Sequence, residues 1–274
     1  MQLLEETKQL CNLYGIKPSR SRGQNFLINE DVYKKIIDAA DLKKTDVVLE
    51  VGPGLGFLTK LLGENVKQVV AVELDRKLAQ ILPDRLKSQG VDNIKVIQTS
   101  ILDFKGLDGE YKVLSNLPYN ITSIFLRKFL EINNKPTSLT LMLQKEVAER
   151  IVAKPGDMSL LGLSVQFYAE AKLIAQVSRH DFWPEPAVDS AIIKIIVRNK
   201  NFCSLPDTKI FFRLAKIGFS AKRKMLKNNL AAGLKIDQLE IEKILKSINI
   251  KPTARAQDLG VKEWLELYRK IENF

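Results

Sequence analysis

Two short stretches hold residues whose types and spacing suit chemistry on a bound molecule. The first is Glu50-Val-Gly-Pro-Gly-Leu-Gly56, which follows an apolar run and opens a helical pattern. Glycines at such a junction let the backbone turn tightly and approach a ligand closely. The dinucleotide fingerprint spaces them G-x-G-x-x-G and seats a pyrophosphate on a helix N-terminus. Here the spacing is G-x-G-x-G, and Pro53 removes one amide donor. That fits a pyrophosphate poorly and a nucleoside without phosphates better. Glu73 closes the second apolar run, where an acid accepts hydrogen bonds from both ribose hydroxyls. The glycines alone would serve as a structural turn; with Glu73 they predict an adenosine-type ligand other than NAD.

The second stretch is Asn116-Leu-Pro-Tyr119, at the end of a later apolar run. It offers a side-chain amide acceptor on Asn116, the backbone carbonyl of Leu117, a rigid turn at Pro118 and the aromatic face of Tyr119. Pro118 brings no N–H of its own. A planar exocyclic amine needs two acceptors for its hydrogens and a ring to stack on, and the quartet supplies all three. Asn, Pro and Tyr are also ordinary turn residues, so its position carries the reading. In an open α/β sheet, ligands bind beyond the carboxyl ends of the strands, which would set this quartet beside the glycine loop.

Apolar, β-rich runs at 46–51, 68–74, 94–98, 111–115 and 138–143 alternate with helical patterns at 30–40, 57–62, 75–89, 121–132 and 144–153. Alternation of this kind predicts a parallel sheet with both faces covered by helices. Two later runs, 173–178 and 191–197, read as strands in a hairpin or as neighbours at one edge. After about residue 199 only helical patterns follow, at 210–219, 224–232, 238–247 and 261–271. The expected organisation is a domain over residues 1–199 with a basic N-terminal arm, and a helical domain over 200–274.

The chain has 274 residues, 45% of them hydrophobic, and a net charge of +11. That composition excludes a disordered chain. No apolar stretch reaches the length of a membrane span, and the N-terminus lacks a secretory core. Cys11 and Cys203 are the only cysteines, too few for a disulfide framework or a metal cluster, and they fit a reducing cytoplasm. The charge is uneven. Residues 201–274 carry 15 basic against 8 acidic side chains, and the rest of the chain 28 against 24. A basic appendage on a near-neutral body points to a polyanion, nucleic acid first. Residues 208–230 hold seven cations and no acid, and the arm around Lys17, Arg20 and Arg22 is likewise free of acids. A solvated helix face usually mixes both signs.

EVGPGLG, an acid closing the second strand, and NLPY together resemble the S-adenosylmethionine-dependent adenine N6-methyltransferases. The likeness extends along the chain. Gly23-Gln-Asn-Phe-Leu27, Leu143-Gln-Lys-Glu-Val147, Phe182-Trp-Pro-Glu-Pro-Ala-Val-Asp-Ser190, the Phe219–Leu230 stretch FSAKRKMLKNNL and Ala254-Arg-Ala-Gln-Asp-Leu259 follow in order. Together they are similar to the motifs of the small-subunit (16S) ribosomal RNA adenine N6,N6-dimethyltransferase family, of the KsgA type.

The resemblance implies an α/β fold: a Rossmann-like class I methyltransferase sheet with helices on both faces, plus a small all-helical C-terminal domain. It implies S-adenosyl-L-methionine as cofactor, held by Asn25, Leu27, Gly52, Gly54, Glu73, Ser100, Ile101 and Asn116. Family members carry an aspartate where this chain has Ser100, so weaker cofactor binding is expected, or a rescue by the backbone of Ile101; Asp103 is the other acid nearby. The catalytic set it implies is Asn116, Leu117, Pro118 and Tyr119, with Phe182 stacking on the second face of the target base. His180, the one histidine, is expected to be a bystander. Lys17, Arg20, Arg22, Lys222, Arg223, Lys224 and Lys227 are the expected RNA contacts, with Lys222 replacing one family arginine. The implied partners are the small ribosomal subunit and its 16S rRNA, with no membrane and no metal, for a monomeric cytoplasmic enzyme in ribosome biogenesis. The rivals are a large-subunit rRNA adenine N6-methyltransferase of the macrolide-resistance type, a non-catalytic assembly factor on the same fold, and a nicotinamide dehydrogenase. The glycine spacing disfavours the last.

Overall fold

The structure, a computed structural model, describes residues 2–18, 24–198 and 208–271. Two compact units emerge: Met1–Ala148 with Glu170–Val197, and Glu149–Ala169 with Arg198–Phe274. The expected boundary at 199/200 lies outside the described residues. Arg20, Arg22, Gly23 and Cys203 do too.

The first unit is built on a seven-stranded sheet. Its strands are β2 (Val47–Val51), β3 (Gln68–Glu73), β4 (Ile94–Gln98), β5 (Lys112–Asn116), β6 (Ser138–Gln144), β7 (Ala169–Val177) and β9 (Ser190–Val197), in the order β4-β3-β2-β5-β6-β9-β7. The neighbours from β4 to β6 pair in parallel, and β6 and β9 pair antiparallel. The two late strands are therefore neighbours at one edge. Most positions of β2, β3 and β6 are buried, the mark of parallel strands covered on both faces. Glu50 is the charged exception within β2.

Helices α2 (Glu30–Ala40), α3 (Phe57–Asn65), α4 (Arg76–Lys87), α5 (Thr122–Glu131) and α6 (Lys145–Val152) alternate with these strands. Their starts are written in short polar signals. Asn29 caps α2 by accepting from Asp31 N at 2.9 Å, and Asp75 caps α4 by accepting from Lys77 N and Leu78 N. Each cap satisfies donors that the first turn leaves orphaned. In α2, Val32, Tyr33, Ile36 and Ala40 form the buried stripe, at the spacing a core-facing helix requires.

The N-terminal region departs from the expected arm. Residues Gln2–Leu13 form helix α1, and Leu3, Thr7 and Cys11 are its buried residues, four apart along one face. After it, β1 (Phe26–Leu27) pairs antiparallel with β8 (Phe182–Trp183), Phe26 opposite Trp183 and Leu27 opposite Phe182.

The second unit is helical. It contains α7 (Leu160–Tyr168), α8 (Thr208–Gly218), α9 (Leu226–Leu234), α10 (Gln238–Ser247) and α11 (Val261–Ile271). Residues 149–169, placed with the first domain on sequence grounds, group here because Met158, Leu163 and Phe167 share one apolar cluster with Phe211, Leu230, Leu245 and Trp264. The Phe167 and Phe211 rings lie 4.8 Å apart. Gly218 lets α8 meet Trp264 closely: a Cβ there would stand 2.4 Å from the indole.

Candidate active site

The carboxyl ends of β2 and β5 are adjacent in the sheet, and the chain leaves them toward opposite edges, β2 to β3 and β5 to β6. That is the switch point at which open α/β sheets leave a crevice. A cavity of about 390 Å³ opens there. Nine of the predicted residues line it: Asn25, Leu27, Gly52, Gly54, Glu73, Ser100, Ile101, Asn116 and Pro118.

The glycine loop forms one wall. Gly54 has φ +58°, and a Cβ on it would meet the Phe26 ring at 3.2 Å. A side chain there would be strained and would crowd β1. Its amide donates to Glu73 Oε2 at 3.2 Å, and Asp75 N donates to Glu73 Oε1 at 2.8 Å. These bonds lock the carboxylate at the end of β3, and each oxygen keeps a lone pair for a further donor. Burial raises the Glu73 pKa, while the backbone donors oppose the rise.

Sequence reasoning missed Glu50, the acid that opens the glycine motif. It lines the same cavity, is only 2% exposed, and its Oε2 has no hydrogen-bond partner among the described residues. Burial pushes its pKa up to about 8, with the Thr59 hydroxyl opposing the rise and the charge of Glu73 adding to it. A buried carboxylate with one oxygen left without a hydrogen bond is costly unless a donor or cation meets it. The available signal was an acid within a run of strand residues otherwise suited to burial.

Opposite stands the Asn116 quartet. The Asn116 Nδ2 group donates to the backbone carbonyl of Asn25 at 3.3 Å. With the donor end so engaged, Oδ1 is the end the amide offers to another group. Leu117 is buried, and its N–H is held by Met142 O at 3.1 Å. Tyr119 opens a 3-10 turn, Tyr119–Ile121, with its hydroxyl 2.8 Å from Ser190 Oγ. Leu117 and Tyr119 flank the cavity rather than line it, and Asn120 and Ile121 continue its wall.

Ser100 lies on the cavity wall, between Thr99 and Ile101. Its Oγ accepts from Leu102 N at 3.2 Å, capping a turn whose Asp103 and Phe104 amides bond to Ser100 O. The hydroxyl thus has a local acceptor role that leaves its proton to donate. Asp103 is exposed and off the cavity wall.

Several predicted residues are not gathered here. Phe182 is 3% exposed and belongs to the core cluster of Leu27, Tyr33, Val177 and Ile192. Its ring is thus covered by the core and is not among the groups that line the cavity, so it offers no open face for base stacking. His180 is exposed and lies 3.1 Å from Glu185. In the helical unit Lys222, Arg223 and Lys224 are exposed and consecutive in the turn between α8 and α9. Asn229 Nδ2 braces that turn through Gly218 O and Ala221 O. Lys227 differs: it lies 3.0 Å from Glu242, an acid shared with Lys246. Lys17 is exposed.

Fold and site define a class I methyltransferase with an adenine-type amino-group motif. A family model described as ribosomal RNA adenine dimethylase matches residues 16–273. The chain belongs to the ribosomal RNA adenine dimethylase family. It is 45% identical over 270 residues to the ribosomal RNA small subunit methyltransferase A of Dehalococcoides mccartyi (strain CBDB1), covering 97% of this chain and 92% of that protein. Among solved structures, a dimethyladenosine transferase from Plasmodium falciparum superposes with a TM-score of 0.80 at 26% identity, over 90% of this chain and 98% of that one. The 23S rRNA methyltransferase ErmE superposes with a TM-score of 0.75, also at 26% identity, over 90% of this chain and all of that one.

Proposed function

We propose that this chain methylates N6 of two adjacent adenosines near the 3′ end of small-subunit (16S) rRNA, two methyl groups on each, in ribosome biogenesis. S-adenosyl-L-methionine is the methyl donor, supplying an electrophilic methyl group on a sulfonium. The cavity residues fit it: Glu73 suits the ribose hydroxyls, Ser100 and the Ile101 backbone the adenine edge, and the free Oε2 of the Glu50 carboxylate the α-ammonium group. Asn25, Leu27, Gly52 and Gly54 shape the walls against it.

The orientation of the Asn116 amide carries the catalytic reading. With Nδ2 held by Asn25 O, Oδ1 accepts one hydrogen of the target amine and the Leu117 carbonyl accepts the other. Adenine N6 is a poor nucleophile because its lone pair is delocalised into the ring. Two acceptors out of the ring plane favour a pyramidal nitrogen and aim the lone pair at the methyl group. Tyr119 stacks on the base, which must leave its own stack at a cost of a few kcal/mol. No side-chain base is needed, since the alkylated nitrogen becomes acidic and loses its proton to water. Phe182 supports this pocket from the core by holding β1 in place.

Lys17 and the exposed trio Lys222, Arg223 and Lys224 contact RNA phosphates, with Arg20 and Arg22 of the arm; Lys227 keeps its partner Glu242 and braces α9. The enzyme acts as a monomer in the cytoplasm without a metal. Among the described residues no helix is long and apolar enough to cross a membrane, and no cluster suits a metal.

The test is transfer of labelled methyl groups to small subunits lacking the modification, with Asn116→Ala as control. We expect four methyl groups per particle from the wild type and a loss of about a hundredfold or more in the variant, as for the loss of a positioned transition-state contact. Full activity in the variant would overturn the mechanism. Activity only on free large-subunit RNA would favour the macrolide-resistance type, and binding without transfer would favour an assembly factor.

A further inference from the structure

The Leu143–Val147 and Phe182–Ser190 motifs meet beneath the base-stacking residue, and their contacts give them a role that the proposed chemistry leaves unassigned. Ser190, the first residue of β9, is fully buried (0% exposed) and sits opposite Gln144 in the β6–β9 register. The residue before it, Asp189, is held twice: its carbonyl accepts from Lys145 N at 3.0 Å, and its carboxylate accepts from Arg179 N at 3.0 Å. Ser190 is thereby fixed by a seven-residue strand ladder on one side and a pinned loop on the other. Its hydroxyl lies 2.8 Å from that of Tyr119, and either can donate. The tyrosine needs such an anchor. It stands on the short turn after Pro118, half-buried and off the cavity wall, and nothing in a 3-10 turn by itself fixes the plane of the ring.

We infer that Ser190 is a positioning residue, which tethers the Tyr119 hydroxyl and so holds the ring as a preformed platform for the target adenine. This rests on the base-stacking role proposed for Tyr119. The tether fixes the far end of the ring, about 6.5 Å from its Cα by ordinary bond lengths, where a small rotation displaces the aromatic face most. A free ring would sample other orientations, including some that intrude on the space of the base. Holding it in place removes that loss from the catalytic step, where misplacement by about 1 Å can be expensive.

A double-mutant cycle tests this with purified full-length protein: Tyr119→Phe, Ser190→Ala and the pair, with kcat and KM measured on unmodified small subunits and S-adenosylhomocysteine affinity measured by calorimetry. Tyr119→Phe keeps the ring and removes only the tether. Each single change is expected to lower kcat about fivefold to tenfold, the scale of one hydrogen bond, with KM and cofactor-product affinity within about twofold of wild type. The double variant is expected to be no worse than the weaker single one, because both remove the same bond. Multiplying losses, or an unchanged kcat in either single variant, would overturn the inference. If Ser190→Ala fails to fold, Tyr119→Phe decides alone. A wild-type protein that methylates no adenine N6 would instead remove the underlying stacking role.

Discussion

At the residue scale, Glu50 gives the sharpest pH prediction. Its carboxyl ionises near pH 4.5 when exposed, and only at about 8 in the folded cavity. The folded pKa is raised, so the folded state holds its proton where the unfolded state has lost it. Wild-type stability should therefore fall as pH rises from about 4.5 to about 8, and be insensitive to this group below that window. Glu50→Gln removes the titration. Its thermal midpoint should match wild type near pH 4 and exceed it near pH 8, by a difference that thermal melts read directly. Cofactor affinity should move the opposite way: the variant loses the partner of the ammonium group and binds at least tenfold more weakly, a charge-assisted bond being worth about 1.5–3 kcal/mol. A melting curve that tracks wild type at both pH values would dissociate Glu50 from the cost assigned to it.

Ser100 carries a second residue-scale prediction. Ser100→Asp restores a charge toward the adenine amine of the cofactor and keeps a side-chain acceptor for Leu102 N. Calorimetry should show tighter S-adenosylhomocysteine binding, by about threefold to tenfold; no gain would mean the backbone of Ile101 already compensates. These two acids, Glu50 and Glu73, show what could be read in advance. The place of Glu73 on the cavity wall was legible because it follows from the end of a strand, a local property. Glu50 was not, because its importance depends on depth of burial and on an oxygen left without a hydrogen bond, which only the packed structure defines.

At the element scale, helix α1 and the glycine loop are joined by Arg85 of α4. Its guanidinium, 7% exposed, donates to Leu55 O at 2.6 Å, bonds Glu6 at 3.2 Å and lies over the Phe57 ring at 5.0 Å. Arg85 also sits near Gly56, where a Cβ would be 3.5 Å from Nη1. Arg85→Met should leave Leu55 O and Glu6 without this partner and loosen the loop, lowering both the melting temperature and cofactor affinity. Glu6→Gln, which is half-exposed and keeps the helix, should cost little in stability, about 1 kcal/mol or less. Equal effects from the two would contradict the assignment of the load to the Leu55 contact. The sequence could show neither α1 as a docked helix nor its tie to residue 85: its apolar positions are sparse, and the partner lies in another element. The same limit hid Lys227, whose partner Glu242 lies on α10, and α7, which belongs with helices that follow it by some forty residues of chain or more. Elements with local caps and continuous apolar runs, such as α2, α4 and β2, were legible from the sequence.

At the scale of the whole molecule, the charge has a division of labour. The first unit holds the cavity. The helical unit exposes Lys222, Arg223 and Lys224 on a turn braced by Asn229. Replacing all three by alanine should weaken binding to small subunits and reduce the slope of log affinity against log salt by about 2–3, one phosphate contact each. Cofactor affinity should stay within twofold, since none of the three lines the cavity. An unchanged salt slope would assign the contacts to other cations.

The pairing of Phe26 with Trp183 and of Leu27 with Phe182 also bears on the timing of assembly. A chain emerging from synthesis acquires its glycine loop, Glu73 and Asn116 long before β8 exists. Until residue 183 is available, β1 has no strand to pair with, and Asn25 has no fixed carbonyl with which to orient Asn116. The ligand pocket is therefore a late product of folding, closed by a strand that arrives after the catalytic quartet. The wall that β1 contributes must wait for residues far along the chain, whereas the walls from the glycine loop and Glu73 depend only on segments made earlier.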